Sequence, residues 1–139
     1  MYVPKHFELH EYLPKSLYNH LRQRGRLDRG WELLDDRLLR LDDQLREKFG
    51  KITINNWYWG GDREWSGIRT PDSAYFSPTS QHTYGRASDK LFRDNTIVHV
   101  RSYILEHPEE FPLLMSLELD VTWLHSDVRN CKRIKTYRP

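Results

Sequence analysis

The stretch WELLDDRLLRLDDQLREKFGKITIN, Trp31 to Asn55, decides the fold class. Trp31, Leu34, Leu38, Leu41 and Leu45 recur every three or four residues as far as Phe49, the spacing of one face of an α-helix, and Gly50 is a residue type that closes one. The spacing predicts a helix over Trp31–Phe49. Asp35, Asp36, Arg37, Arg40, Asp42, Asp43, Arg46 and Glu47 read as its solvated face, laced with helix ion pairs. Directly after Gly50 the period changes, and Ile52-Thr53-Ile54-Asn55 has the composition of a strand.

Outward from this junction the same division holds. Upstream, Leu13-Pro14-Lys15-Ser16 opens a shorter helix carrying Leu17, His20 and Leu21, and Gly25 and Gly30 interrupt the pattern. Downstream, Trp57-Tyr58-Trp59-Gly60-Gly61 leads into a Gly-, Pro- and Ser-rich stretch from Asp62 to Thr79. That is long for a segment without regular structure, and such segments usually carry function. Ser88–Phe92 reads as extended, and Asn95–Glu106 as a helix with Ile97, Val100, Ile104 and Leu105 facing inward, ended by His107-Pro108. Leu117–Val128 reads as one strand with Val121, Trp123, His125 and Asp127 on one face. Helices first and short strands after predict an α+β fold: a small antiparallel sheet flanked by helices. A single domain is expected over residues 1–139, helical over 1–50, site-bearing over 51–130 and ending in a basic tail over 131–139.

Composition narrows the function classes. With 37% hydrophobic and 30% charged residues the chain is polar but can still build a core, helped by 5 Trp and 8 Tyr. No apolar run approaches the ~20 residues of a membrane span, so membrane insertion is not expected. The opening MYVPKHFELHEYLP lacks the apolar core of a secretory leader. Cys131 is the sole cysteine, which excludes an intrachain disulfide and a cysteine-rich zinc site, so any metal site must use His, Asp or Glu. The net charge is +2, and Arg129, Lys132, Arg133, Lys135 and Arg138 gather near the C-terminus. They read as a solvated segment, and no nucleic-acid partner is expected.

The chemistry concentrates in Ser80-Gln81-His82-Thr83-Tyr84-Gly85-Arg86-Ala87-Ser88-Asp89. Gly85 permits a tight turn that brings the His82 imidazole and the Asp89 carboxylate together, and the small neighbours Ala87 and Ser88 suit crowding near a metal. His125, in Trp123-Leu124-His125-Ser126-Asp127, can supply a third ligand. Two histidines and a carboxylate with water in the fourth position form a catalytic zinc arrangement. By spacing alone, each residue also has an ordinary reading: His82 bonded to loop backbone, Asp89 as a turn cap or ion-pair partner, His125 as a packed strand residue. The aromatics Trp57, Tyr58, Trp59 and Trp65 read equally as a groove for sugar or peptide and as packing.

The pattern Ser80-x-His82-x-x-Gly85-x-Ala87-x-Asp89 resembles the signature of the M15 family of zinc D-Ala-D-Ala carboxypeptidases, which shares its fold with D-Ala-D-Ala dipeptidases and the Hedgehog signalling domain. Ser66-Gly67-Ile68-Arg69-Thr70-Pro71 is similar to the family's Ser-Gly-Tyr-Arg-Ser-Pro segment, and Trp123-Leu124-His125 to its closing Trp-Val-His strand. The blocks agree in order over roughly residues 50–130, closest to the small bacteriophage-encoded versions. The resemblance implies one Zn²⁺ per chain held by His82, Asp89 and His125, Arg69 steadying the substrate carbonyl or its oxyanion, and Ser80 beside the substrate. It implies hydrolysis of peptide bonds in bacterial peptidoglycan stem peptides, of carboxypeptidase or endopeptidase type. The protein would be made in the bacterial cytoplasm and reach the cell wall after release, as a phage endolysin, or as a virion component. A monomer is favoured.

One position departs from the family. Many members place the catalytic Glu or Asp three residues before the last ligand, and here that residue is Thr122. Glu118, Asp120 and Asp127 lie nearby. Asp127, two residues beyond His125 on the same strand face, is favoured as the general base, with Asp120 next, swinging in from a turn. Asp127 reads alternatively as a ligand or as an outer partner of His125. The departure also keeps open a second reading, a metal-containing binding or structural module of the same fold that does not hydrolyse.

Overall fold

Asp35 sets the start of the long helix. In the computed structural model, which describes residues 1–139, the Asp35 side chain accepts from the Arg37 backbone N–H at 3.0 Å and caps a helix that begins at Asp36. The predicted Trp31–Phe49 helix is therefore split: Leu27–Leu33 is a 3₁₀ segment, Leu34 is extended, and the α-helix proper follows. The apolar spacing runs through the break because Trp31 and Leu34 meet the same core as Leu38, Leu41 and Leu45.

In chain order the elements are α1 (Lys15–Gln23), α2 (Asp36–Phe49), β1 (Ile52–Thr53), β2 (Ala87–Phe92), α3 (Ile97–Glu106), β3 (Ser116–Glu118), β4 (Leu124–Asp127) and β5 (Lys135–Tyr137). The strands form one sheet in the order β1-β2-β4-β3-β5, antiparallel except for the parallel β3–β5 pair. This is the predicted α+β class. The helix expected from Asn95 starts two residues later because Thr96 caps it, its side chain accepting from the His99 N–H at 3.1 Å. Val100 and Ile104 are buried and Ile97 packs against the core, whereas Leu105 is exposed, contrary to its inward assignment.

The continuous strand expected over Leu117–Val128 is a hairpin. The chain leaves β3 at Glu118, turns through Asp120, whose φ is +59°, and re-enters the sheet as β4. Two short antiparallel neighbours replace one long strand, so Val121 and Trp123 lie outside the regular ladder.

One cluster of 20 buried apolar residues joins the N-terminal segment, α2, α3 and the sheet. Leu34, Leu38, Leu41 and Leu45 are all within it, and Trp31 packs against it. Two residues assigned to the solvated face of α2 are buried instead. Asp43 accepts from the Tyr2 hydroxyl and the Lys5 and His6 N–H groups, at 2.6, 2.7 and 3.2 Å, and so anchors the first residues of the chain. Asp42 points at the back of β2, where Lys90 Nζ lies 2.9 Å away, both side chains being wholly buried. No helix is long and apolar enough to cross a membrane.

Candidate metal centre

Three segments converge on the face of the sheet opposite α2. His82 comes from a 3₁₀ turn, Gln81–Tyr84, opened by Ser80, whose hydroxyl accepts from the His82 N–H at 3.3 Å. Gly85 closes that turn in the left-handed region at φ +65°, and a Cβ there would sit 2.0 Å from the Leu33 carbonyl oxygen. The backbone thus requires glycine both for its torsion and for its contact with the chain entering α2. Asp89 lies on β2 and His125 on β4, directly opposite each other in the ladder. Cross-strand partners share a face, so the register itself delivers two of the three side chains to one place.

The segment Ser66–Arg69 binds these pieces together. Ser66 O accepts from the Asp89 N–H at 2.8 Å, Gly67 O accepts from His82 Nδ1 at 2.7 Å, and the Arg69 N–H donates to His82 O at 3.3 Å. Gly67 runs against Tyr12, where a Cβ would meet the Tyr12 carbonyl oxygen at 2.2 Å. The long Asp62–Thr79 stretch is thus held in place at its centre, on the edge of the site.

The donor atoms form a tight triangle. His125 Nδ1 lies 2.8 Å from Asp89 Oδ1, His82 Nε2 lies 3.3 Å from the same oxygen, and the two imidazole nitrogens are 3.3 Å apart. Ligand bonds of ~2.0–2.1 Å in a tetrahedral site put neighbouring donors about 3.3 Å apart, so the triangle matches in size. All three residues are buried and are placed to hold a metal ion.

Each donor has an outer partner on its far side. Gly67 O takes the His82 Nδ1–H, leaving Nε2 with its lone pair toward the triangle. Asp127 Oδ2 lies 3.1 Å from His125 Nε2 and leaves Nδ1 inward in the same way. Arg69 Nη2 donates to Asp89 Oδ2 at 2.7 Å while its Nε donates to the Trp65 carbonyl at 2.8 Å. Carbonyl and carboxylate partners of this kind set the tautomer and aim of metal-binding histidines.

The electrostatics match the geometry. Burial raises the Asp89 carboxyl, but its two imidazole neighbours outweigh it and hold the pKa far below the usual carboxylate range. Burial dominates at His82 and lowers it, favouring the neutral imidazole that binds metal. At His125 burial is outweighed by hydrogen bonds to Asp127 and Asp89, and its pKa rises.

The remaining sequence-derived residues fall into place differently. Ser80 and Arg69 line the cleft beside the triad. Asp120 does not line it: its side chain is largely exposed at the hairpin turn and pairs with Arg138. Asp127 shares the strand face of His125 as expected, but it lies behind the ring rather than over the open side. It has no exposed surface, and Arg129 donates to it from Nε and Nη2 as well as from the backbone. Burial would raise its pKa, yet the bonds from His125 and Arg129 keep it low. Its carboxylate is bonded to His125 Nε2 and to Arg129, on the far side of the ring from the triangle, the outer-partner placement that is the alternative to a base. Asp127→Asn should therefore weaken divalent-metal affinity by about 10–100-fold in a chelator competition while leaving the fold intact. Unchanged affinity would contradict that role. Ser88 points away from the triad toward Asp42, so its small size serves the buried network rather than room at a metal.

The triad floors a cleft of about 520 Å³. Trp65, Tyr75, Trp123 and Tyr137 provide its aromatic lining, and Asp62, Glu64 and Glu118 its carboxylates. Trp65 thus belongs to the groove, while Trp57 donates its indole N–H to Leu13 O and Tyr58 stacks on His10 away from the triad. Tyr137 is a cleft residue that sequence reasoning misses. It lies in the basic tail that reads as solvated, and no local pattern marks it. The chain matches no protein-family model, no curated protein and no solved structure.

Proposed function

We propose that this protein is a zinc-dependent peptidase that cuts peptide bonds in the stem peptides of bacterial peptidoglycan, encoded by a phage and acting as a lysis protein or virion component. The observation that carries the reading is the convergence of His82, Asp89 and His125 at the floor of an open cleft, from two sequence blocks that, with the Arg69 block, follow the order of the M15 pattern they resemble. The donor set, two imidazoles and one carboxylate, would fit zinc once His125 has given up its second proton, and it faces the open cleft.

His82, Asp89 and His125 would hold the ion, whose chemistry would be Lewis-acid activation of water and of the scissile carbonyl. The chain's own residues do the rest. Arg69 is fixed by Asp89 and Trp65 through Nη2 and Nε, and its Nη1, unpartnered within the chain, is free to donate to a substrate carbonyl, carboxylate or developing oxyanion. Ser80 sits beside it on the cleft wall and offers a hydroxyl to the bound peptide. Trp65, Tyr75 and Trp123 give flat apolar walls against which an extended peptide can lie.

Digestion of purified peptidoglycan is the test. The zinc-loaded protein should release new amino termini or free D-alanine, a chelator should stop the release, and added zinc should restore it. No release from walls of several peptide chemistries, by protein that holds zinc, would reject the peptidase and leave the metal-containing binding module as the function of the fold.

A further inference from the structure

A peptidase built on this triad needs a proton acceptor on the open side of the metal, and Thr122, at the position where the family pattern has an acid, is exposed at the hairpin turn. Asp127 is engaged behind His125 and Asp120 is outside the cleft. Besides Asp89, three carboxylates line the cleft: Asp62, Glu64 and Glu118. Asp62 is exposed to solvent and lies on the loop after Gly61, and Glu64 is tethered, Oε1 accepting from the Lys15 N–H at 3.0 Å.

Glu118 stands differently. In the β3–β4 ladder Ser116 faces Asp127 and Leu117 faces Ser126, so the next residue, Glu118, comes opposite His125. On the other side of β3, Glu118 pairs in register with Tyr137 of β5. Asp89, His125, Glu118 and Tyr137 therefore form one row across β2, β4, β3 and β5, on the face that floors the cleft. Directly opposed side chains have Cβ atoms ~4.5–5.5 Å apart. The Glu118 side chain thus starts next to a metal-binding imidazole, on the side away from Asp89. It is half-buried, and its carboxylate has no hydrogen-bond or ion-pair partner in the chain.

We propose that Glu118 is the general base of the hydrolysis, taking over from β3 the role that the Thr122 position does not fill. This assignment rests on the peptidase reading above. A Glu118 carboxylate oxygen takes one proton from the attacking water as the water oxygen bonds to the scissile carbonyl carbon. It passes that proton to the departing amine nitrogen as the C–N bond breaks, so the net change is one water consumed, one new carboxylic acid and one new amine; the acid's remaining proton then moves to the amine, leaving a carboxylate and an ammonium. Tyr137 supports this from the next strand. Its ring meets the His125 imidazole edge to face, 5.9 Å between centroids, and it lines the cleft beside Glu118.

The test compares Glu118→Gln, Glu118→Asp and Asp127→Asn with wild type, each measured for zinc content, zinc affinity and rate on a stem peptide. Glu118→Gln should keep one zinc per chain with unchanged affinity and lose about 10²–10⁴-fold in kcat, the contribution expected of a positioned proton acceptor. Glu118→Asp should recover some of the rate. Asp127→Asn should show the opposite signature, weakened zinc binding whose rate loss is reversed by excess zinc. A wild-type enzyme that works while Glu118→Gln works as well overturns the base assignment alone. Glu118→Gln protein that loses its zinc makes the residue a ligand and also overturns it. A zinc-loaded wild type without activity overturns the peptidase reading, and this role with it.

Discussion

His82→Ala should bind no zinc under conditions where the wild-type protein holds about one ion per chain, and hydrolysis should vanish with it. Three protein donors leave no redundancy: removing the Nε2 atom leaves Asp89 and His125, a two-point site. It also strips the Gly67 carbonyl of its partner. The loss of affinity should far exceed the ~10–100-fold typical of an outer partner, which separates this variant from Asp127→Asn. Elemental analysis after zinc-supplemented expression, with circular dichroism to establish that the fold survives, gives the answer. Full zinc content in His82→Ala would mean that the ion sits elsewhere.

The largest effect on stability should come from the other side of the sheet. Asp42 and Lys90 face each other with no exposure, and their neighbours complete a closed set of contacts. Lys90 Nζ donates to Ser88 Oγ and Ser126 Oγ, both at 2.6 Å, while the Ser88 hydroxyl donates to Asp42 Oδ2 at 2.8 Å and Tyr12 to the same oxygen at 3.2 Å. Burial pushes the Asp42 carboxyl up, against the charge of Lys90 and the hydrogen bonds from Lys90, Ser88 and Tyr12. Breaking such a pair from one side leaves an uncompensated buried charge.

Asp42→Ala should therefore cost about 3–5 kcal/mol, a fall in Tm of roughly 10–20 °C for a chain of this size. Asp42→Leu combined with Lys90→Met removes both charges and should recover much of that loss, though not all, because three hydroxyls lose partners. Denaturant unfolding of the single and double variants measures this, and a loss below about 1 kcal/mol for Asp42→Ala would contradict it. Asp89 sits between Ser88 and Lys90 on β2, so the same variant should also loosen the metal site, linking the two faces of one strand.

The residues that carry local chemistry are legible in the chain. Gly50 at the end of a leucine period marks the helix terminus, and the His82–Gly85–Asp89 spacing marks a turn followed by a strand. The residues that the sequence misplaces share a cause. Asp42 and Asp43 read as solvated because a helical period separates faces but does not say what packs over each. Here β2 covers one of these acids and the N-terminal segment the other. Asp35 is a helix cap concealed within an unbroken apolar period, and only the bond from its N–H to Gly85 O shows that the chain is pinned there. Asp120 and Asp127 are both close to His125 along the chain, and the hairpin turn makes that measure misleading.

By itself, the sequence determined the α+β class, the helix stops and the turn that carries His82, because these follow from residue type and spacing within a few positions. The tertiary structure alone decided that His82, Asp89 and His125 share one triangle, that Asp127 stands behind it, and that Glu118 and Tyr137 extend the row into the cleft. Those facts depend on strand register and on the order β2-β4-β3-β5. Register joins residues dozens of positions apart, and a shift of one residue would turn every one of these side chains to the opposite face.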